Sequence, residues 1–232
     1  YIYKNHEMIN SFPLGDFKGF APAFYRAPLD NDRNICKYWH TIGLQNTSNI
    51  CKGGSFTDNG DNIVVTTNIK SIANCILPVA NTQIKYTIYP NGNILVDVNC
   101  LGGSAVKLLP RFGVMLEMPK EYENIKYFGL GEDVNLPDYK EHTINKVYQT
   151  TVDKLKEDYI KPQESATRCD VRFAEITNAS GFGLRFEAVN KPFIFSASHY
   201  TSNQWAKAMH RDDLVDLPTT CVNIDSSVLG AG

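Results

Sequence analysis

Apolar side chains at every second position, on both sides of a short turn signal, most constrain the fold of this chain. The pattern runs from Gln83 to Cys100 and breaks once, at Pro90-Asn91-Gly92-Asn93; its apolar members are Ile84, Tyr86, Ile88, Ile94, Val96, Val98 and Cys100. Successive side chains of a β-strand point to opposite faces, so this period predicts two half-buried strands. The glycine-containing break predicts that the two strands pair as a β-hairpin.

The same period recurs along the chain and predicts more strands. It is found in Phe112 to Met118, in Val171 to Phe173 and in Leu184 to Ala188. Clusters of turn residues separate the runs, at Lys52-Gly53-Gly54-Ser55, Asp58-Asn59-Gly60-Asp61, Leu101-Gly102-Gly103-Ser104 and Asn178 to Gly183. Short strands with such regular turns favour a sandwich or a barrel. We therefore predict an all-β antiparallel sandwich that occupies residues 1–232 as a single domain.

Helical signals are confined to two short stretches. Thr151 to Tyr159 and Ser202 to His210 each fit a short helix, the second with Thr201 or Ser202 as its N-cap. We predict one or two short helices. Tyr122 to Gln163 is the least periodic part of the chain, and we predict that it forms a surface loop.

The charge balance and hydropathy exclude some classes of partner. The 232 residues include 23 Lys and Arg against 25 Asp and Glu, a net charge of -2, so nucleic acid is not an expected partner. No apolar stretch has the length that a bilayer requires, and we predict no membrane segment. Tyr1 to Asn10 lacks the basic start and the apolar stretch of a signal peptide.

The cysteines show no metal-binding pattern. They form no Cys-x-x-Cys pair and have no histidine at a ligand spacing; the six are Cys36, Cys51, Cys75, Cys100, Cys169 and Cys221. We therefore predict no metal site and expect free thiols, although the even count leaves disulfides open. Free thiols suit a reducing compartment, so a cytoplasmic location is expected, with a periplasmic one the alternative for a longer precursor.

A polar motif follows an aromatic-flanked arginine between Phe24 and Asp32. Its members are Arg26, Asp30, Asn31 and Asp32. Two carboxylates at this spacing suit sugar hydroxyls, a cation, or acid and base catalysis. An Asx-rich turn is the structural alternative, because Asp and Asn side chains readily bond to the neighbouring backbone.

Four further residues are weaker candidates for contact with a carbohydrate: Glu164, His199, Trp205 and His210. Glu164 fits either a general base or a structural carboxylate paired with Arg168 or Arg172. The two histidines flank Trp205, an arrangement that suits either a sugar-ring-opening site or two structural histidines.

The order of several motifs resembles the last domain of family-two β-galactosidases. The arginine-alanine-proline and aspartate-asparagine-aspartate signature that opens that domain is matched by Phe24-Tyr25-Arg26-Ala27-Pro28-Leu29-Asp30-Asn31-Asp32. Its leucine-proline-arginine strand is similar to Leu109-Pro110-Arg111-Phe112-Gly113, and its glycine-rich turn is similar to Tyr127-Phe128-Gly129-Leu130-Gly131. Further matches follow in order at Tyr159 to Arg172, Phe195 to Thr201, Ala208-Met209-His210 and Asn223-Ile224-Asp225. The resemblance spans nearly the whole chain.

The resemblance implies a fold and an activity, and it also implies that the catalytic residues lie outside this chain. The family domain is a large antiparallel β-supersandwich related to galactose mutarotases, in enzymes that hydrolyse terminal β-D-galactosides with retention. The two catalytic glutamates of those enzymes lie on a separate (β/α) barrel, so the resemblance implies no catalytic residue here and no activity of this chain alone. It also implies that Mg and Na ions belong to the barrel domain. The implied partners are that barrel domain, or a large subunit, and a galactoside substrate.

By the same resemblance, six polar residues are candidates for the rim of the active site: Arg26, Asp30, Asn31, Asp32, Arg33 and Asn34. The family has a mobile loop after this signature, which begins here at about Arg33 and Asn34 and is much shorter than in the best-known member. The family also continues past Gly230-Ala231-Gly232 to a substrate-stacking tryptophan. We therefore expect a domain truncated at both ends.

Two other functions stay open at this point. Three aromatic residues that look exposed, Tyr25, Trp39 and Trp205, suit a free-standing carbohydrate-binding module. An epimerase similar to the mutarotases would instead use His199, His210 and Glu164.

Overall fold

The computed structural model describes residues 2–3, 6–9, 19–104 and 106–231. They fall into two compact units: unit 1 comprises Tyr1–Tyr38 and Leu109–Gly232, and unit 2 comprises Trp39–Leu108. The single domain over residues 1–232 stays a prediction.

Strands dominate the described residues, and all their pairings are antiparallel. This confirms the all-β prediction. The strands are β1 (Ile2–Tyr3), β2 (His6–Glu7), β3 (Ala21–Ala23), β4 (Thr47–Asp58), β5 (Ile63–Ala73), β6 (Leu77–Ile88), β7 (Ile94–Gly102), β8 (Arg111–Pro119), β9 (Asn124–Gly131), β10 (Ile144–Thr151), β11 (Arg168–Val171), β12 (Phe173–Thr177), β13 (Gly183–Glu187), β14 (Phe193–Ser198) and β15 (Thr219–Val228). The helices are α1 (Ile35–Thr41), α2 (Val152–Leu155) and α3 (Ser202–Lys207), with 3-10 turns at Asp30–Arg33, Leu44–Asn46 and Arg211–Asp213.

Unit 1 contains a sandwich of two sheets and the small β1-β2 pair. A four-stranded sheet has the order β10-β9-β12-β13, and a five-stranded sheet has the order β11-β14-β15-β8-β3. Tyr127 of β9 and Phe195 of β14 lie with their ring centroids 6.5 Å apart, in a core that also holds Ile125, Leu116 and Val222. Full burial of one such side chain contributes about 1.5–3 kcal/mol, so this shared core holds the two sheets together.

Unit 2 is built on one antiparallel sheet in the order β4-β5-β6-β7. The predicted hairpin is β6 with β7, in which Ile88 pairs with Ile94. Its turn is closed by the Tyr89 N–H, which donates to the Asn93 carbonyl oxygen at 2.9 Å. Gly92 has a φ of 88° there, a left-handed conformation that glycine adopts without strain. The hairpin prediction is confirmed.

Helices form at both predicted stretches, as α2 and α3, and Thr201 is the N-cap of α3. The third helix, α1, was not predicted, so the expected number of helices was too low. Its sequence, Ile-Cys-Lys-Tyr-Trp-His-Thr, is rich in β-branched and aromatic residues of low helix propensity. Trp39 in this helix is fully buried, and such burial overrides local propensity.

The prediction of a surface loop from Tyr122 to Gln163 was wrong, since this stretch contains β9, β10 and α2. In β9 burial alternates, but two of the buried positions are glycines and the half-buried Phe128 and Leu130 lie between buried positions, so the apolar alternation is lost in the second half of the strand. In β10 most residues are exposed, and the expected apolar face is absent. The glycine-rich turn expected at 127–131 is likewise part of strand β9. A Cβ at Gly129 would lie 2.7 Å from Val171 Cγ2, so this glycine allows close packing.

The strand expected at Val171 and Phe173 is two strands in different sheets. β11 pairs with β14 in the five-stranded sheet, and β12 pairs with β9 and β13 in the four-stranded sheet. The chain therefore passes from one sheet of the sandwich to the other at Arg172.

All six cysteines are free thiols. Cys51 and Cys75 are exposed, while Cys169 and Cys221 are buried. Burial raises the pKa of Cys169 to about 12 and also raises the pKa of Cys221.

Candidate functional site

Arg26 and Asp32, two of the six predicted rim residues, form a buried ion pair. Arg26 Nη1 donates to Asp32 Oδ2 at 2.6 Å, and neither residue is more than 4% exposed. The Leu29 N–H donates to the same carboxylate oxygen at 2.6 Å, which fixes the start of the 3-10 turn Asp30–Arg33. Asp32 therefore acts as a structural carboxylate, in agreement with the local-turn alternative.

The same arginine ties this segment to the end of β15. Arg26 Nη2 donates to the carbonyl oxygens of Leu229 and Gly230, each at 3.2 Å. A guanidinium presents several donors in one plane, so it holds the turn and the strand end in a fixed relation.

The other four members of the signature, Asp30, Asn31, Arg33 and Asn34, are exposed. Their position is fixed from both sides, by the Arg26–Asp32 pair and by Gln163. The Asp30 N–H donates to Gln163 Oε1 at 2.9 Å. The structure thus divides the six candidates into two buried residues that hold the turn and four that are exposed.

Glu164 belongs to a buried cluster around Arg111. Arg111 Nη2 lies 3.5 Å from Glu164 Oε2, and Arg111 Nε lies 3.1 Å from Asp225 Oδ2. All three side chains are at most 5% exposed. Glu164 is therefore paired with an arginine, as one alternative predicted, but the partner is Arg111 and neither Arg168 nor Arg172.

The cluster holds two carboxylates and one guanidinium. Complete burial raises the pKa of Asp225 to about 7; Arg111 opposes this rise, and the charge of Glu164 adds to it. Ser196 and Asn223 complete the surroundings, with Asn223 Nδ2 donating to Ser196 Oγ at 3.2 Å. Because these groups are enclosed, they cannot transfer a proton to an external substrate without movement of the sandwich.

The two histidines lie in different environments. His199 is 1% exposed, with Nδ1 3.2 Å from the Thr219 carbonyl oxygen. His210 is exposed, and its backbone N–H donates to Asp213 Oδ2 at 2.9 Å. Glu164, the third residue of the epimerase alternative, lies in the buried cluster around Arg111. The three residues are thus found in three different environments.

The aromatic residues expected to be exposed are mostly buried, which corrects the reason for the carbohydrate-binding alternative. Trp39 is fully buried, Trp205 is 4% exposed and Tyr25 is half-buried. Burial is also the main reason that the pKa of Tyr25 rises to about 12. Trp205 packs into the sandwich core and also lines a cleft.

That cleft, of about 360 Å³, lies between residues 156–165 and residues 200–214 of unit 1. Gln163, which accepts a hydrogen bond from the Asp30 N–H, also lines this cleft. The cleft therefore adjoins the exposed part of the rim signature. Gln163 and Arg111 were not among the predicted site residues. The sequence signal that pointed to them was their place beside matched motifs, in Pro162-Gln163-Glu164 and Leu109-Pro110-Arg111.

The described residues form no cluster of metal ligands and contain no helix that could span a membrane. His, Cys, Asp and Glu side chains form no group of three or more that could hold an ion. No helix among these residues is long and apolar enough to cross a membrane.

Comparison with known proteins finds one matching family and several similar sequences. The family described as "Beta galactosidase small chain" matches residues 1–232. The chain is similar to β-galactosidases of Halalkalibacterium halodurans (26% identity over 99% of this chain and 22% of the relative), Vibrio cholerae (27%, 99% and 22%) and Staphylococcus xylosus (27%, 90% and 21%). It therefore spans about a fifth of the length of these curated relatives.

Proposed function

Because this chain belongs to the β-galactosidase small-chain family, we propose that it is the sandwich domain of a β-galactosidase that hydrolyses terminal β-D-galactosides. In this proposal the chain supports and rims the active site. The family match over residues 1–232 carries the proposal. The exposed, firmly held turn at Asp30–Arg33 supports the part that concerns the rim.

The catalytic glutamates of the retaining mechanism belong, in this proposal, to the larger part of the enzyme, on its barrel domain. The enclosed Arg111–Glu164–Asp225 cluster favours this division, since its carboxylates are shielded from any substrate. In this proposal the Mg and Na ions also belong to the barrel domain, as the family resemblance implies. Free thiols, two of them exposed, favour a cytoplasmic location.

The proposal is tested by mixing this chain with the separately produced remainder of the same enzyme. We expect the two proteins to elute together from a sizing column and galactosidase activity to rise. Clear hydrolysis of nitrophenyl galactoside by the chain alone would contradict the proposal, and so would two separate peaks with no gain in activity.

A matched pair of variants tests the rim itself. Asp30→Ala removes an exposed carboxylate from the turn, and we expect it to reduce the gain in activity on mixing. Asp61→Ala removes an exposed carboxylate from a turn of unit 2 and should leave the gain unchanged. Equal effects of the two variants would show that the turn is no part of the rim.

A further inference from the structure

The cleft beside Trp205 has two walls that are fixed by hydrogen bonds. In residues 156–165, the Glu157 N–H donates to Ser165 Oγ at 3.2 Å. In the second wall, Thr201 and Gln204 cap the start of α3: the Gln204 N–H donates to Thr201 Oγ1 at 3.1 Å, and the Thr201 N–H donates to Gln204 Oε1 at 2.9 Å. The cleft is therefore formed before any ligand enters it, and its volume lies within the usual range of about 300–1,000 Å³ for small-molecule sites.

Aromatic side chains line this cleft. Tyr200 and Trp205 have ring centroids 6.4 Å apart at an interplanar angle of 42°. The Tyr200 hydroxyl donates to Asp216 Oδ1 at 2.6 Å, and Trp205 is almost completely buried, so both rings are held in place. Tyr159, which is 39% exposed, adds a third ring on the other wall. The accessible apolar area comes from half-buried Tyr200 and exposed Tyr159, while Trp205 supports Tyr200 from the core. Rings that are held in this way offer apolar area at little cost in conformational entropy.

The charges that line the cleft nearly cancel. Two bases, Lys156 and Arg211, face three acids, Glu157, Asp158 and Asp212. Lys156 Nζ lies 2.8 Å from Asp158 Oδ1, and Arg211 Nε lies 3.7 Å from Asp212 Oδ1. An anionic ligand would meet the acids and a cationic ligand would meet the bases, so the lining favours a neutral ligand. It offers such a ligand both donors and acceptors of hydrogen bonds.

We propose that this cleft binds one neutral hexopyranose ring of a galactoside. The C–H groups of a sugar ring pack against aromatic side chains, and its hydroxyls both donate and accept, which matches the aromatic and mixed-charge lining. The identity of the sugar as a galactoside rests on the proposed function; the preference for a neutral polyol rests on the cleft alone. The site differs from the exposed turn at Asp30–Arg33, but Gln163 contributes to both.

Gln163 gives the cleft a connection to the rim. Its Oε1 accepts from the Asp30 N–H, and the same residue lines the cleft. A sugar hydroxyl that bonds to the Gln163 side chain would therefore act on a group that positions the turn. Occupation of the cleft should change the surroundings of Asp30, which amide resonances can detect.

The experiment uses the full chain, titrated with galactose and with lactose and followed by amide and indole NMR resonances. We expect saturable binding with a dissociation constant near 1 mM and shifts of the Trp205 indole and Asp30 amide signals. Tyr159→Ala and Arg211→Ala, both at exposed positions, should weaken binding about tenfold or more. Tyr89→Ala is the matched control, because Tyr89 is also 39% exposed and lies in unit 2.

Each other outcome overturns this inference. Absence of saturable binding for both sugars would do so, and so would affinity that Tyr159→Ala and Arg211→Ala leave unchanged. Tighter binding of inorganic phosphate than of galactose would contradict the neutral-ligand argument. The mixing experiment separates the two proposals: a gain in activity without sugar binding refutes only the cleft, whereas sugar binding without any gain refutes only the enzyme-domain proposal.

Discussion

The carboxylate of Asp225 lies directly above Gly113, its pairing partner on the adjacent strand. A Cβ built on Gly113 would come within 2.2 Å of Asp225 Oδ1 and within 2.5 Å of Asp225 Cα. The absence of a side chain at position 113 is therefore what gives the buried Asp225 room beside Arg111.

Substitution of Gly113 by alanine should strongly destabilise the sandwich. Part of the clash is with backbone atoms, so a rotamer change cannot relieve it, and we expect a loss of more than about 2 kcal/mol in the free energy of unfolding. Urea denaturation followed by circular dichroism measures this loss. Gly102→Ala is the control, since a Cβ at Gly102 has nothing within 4 Å. An equal, small effect of both variants would disprove the close-approach argument.

Removal of the Asp32 carboxylate should leave the buried Arg26 without its charged partner. For Asp32→Ala we expect a cost of about 3–5 kcal/mol in the free energy of unfolding, the usual result of breaking a buried ion pair. Thermal unfolding checks the prediction. Lys120→Ala breaks an exposed pair with Asp216 and should change the melting temperature little. Similar effects of the two substitutions would show that burial of the first pair has no energetic consequence.

The stability of the chain should fall as pH rises from about 4 to about 7. Burial raises the pKa of Asp225 to about 7, so in this window the folded chain holds a proton that the unfolded chain has released. One such group gives a slope of at most about 1.4 kcal/mol per pH unit. Asp225→Asn should flatten the dependence, whereas Asp61→Asn, at an exposed position, should not. Burial also raises the pKa of Glu117 to about 7, so Glu117→Gln should remove a further part of the pH dependence of stability. An unchanged slope in Asp225→Asn would exclude this assignment.

Loss of the N-cap of α3 should have a smaller, local effect. Thr201→Ala removes the oxygen that accepts from the Gln204 N–H, and we expect a cost of about 1 kcal/mol in the free energy of unfolding. Thr201→Ser keeps a hydroxyl and should retain most of the stability. Equilibrium denaturation of the three proteins tests this, and equal losses for alanine and serine would argue against capping as the cause.

The sequence predicted those parts of the fold in which one face is apolar and the other polar. β6 and β7 show this alternation because each has a partly buried and an exposed face. β9 and β10 escaped prediction. The second half of β9 has glycines at its buried positions and apolar residues at the others, and β10 is an edge strand with little burial. Helix α1 escaped it because burial of Trp39, which is long-range information, outweighs the local propensity of its residues.

The sequence identified the segment that forms the candidate site, but it did not show how the side chains of that segment are arranged. Sequence pattern identified the Arg26–Asn34 signature, yet the division into buried and exposed members depends on contacts with Leu229 and Gly230, about two hundred residues away. The partner of Glu164 could not be found by proximity either: Arg168 is four residues away in sequence, whereas the observed partner Arg111 comes from another strand. Such pairings follow from strand order, which local patterns do not specify.

The distribution of thiols gives this chain an internal indicator of its folded state. Alkylation requires an accessible thiolate, so iodoacetamide should modify Cys51 and Cys75 in the native chain and leave Cys169 and Cys221 untouched. Once the sandwich opens, the two buried thiols return to ordinary acidity and become reactive. The number of adducts on each molecule, read by mass spectrometry, thus distinguishes folded from unfolded copies in the same sample, without any added label.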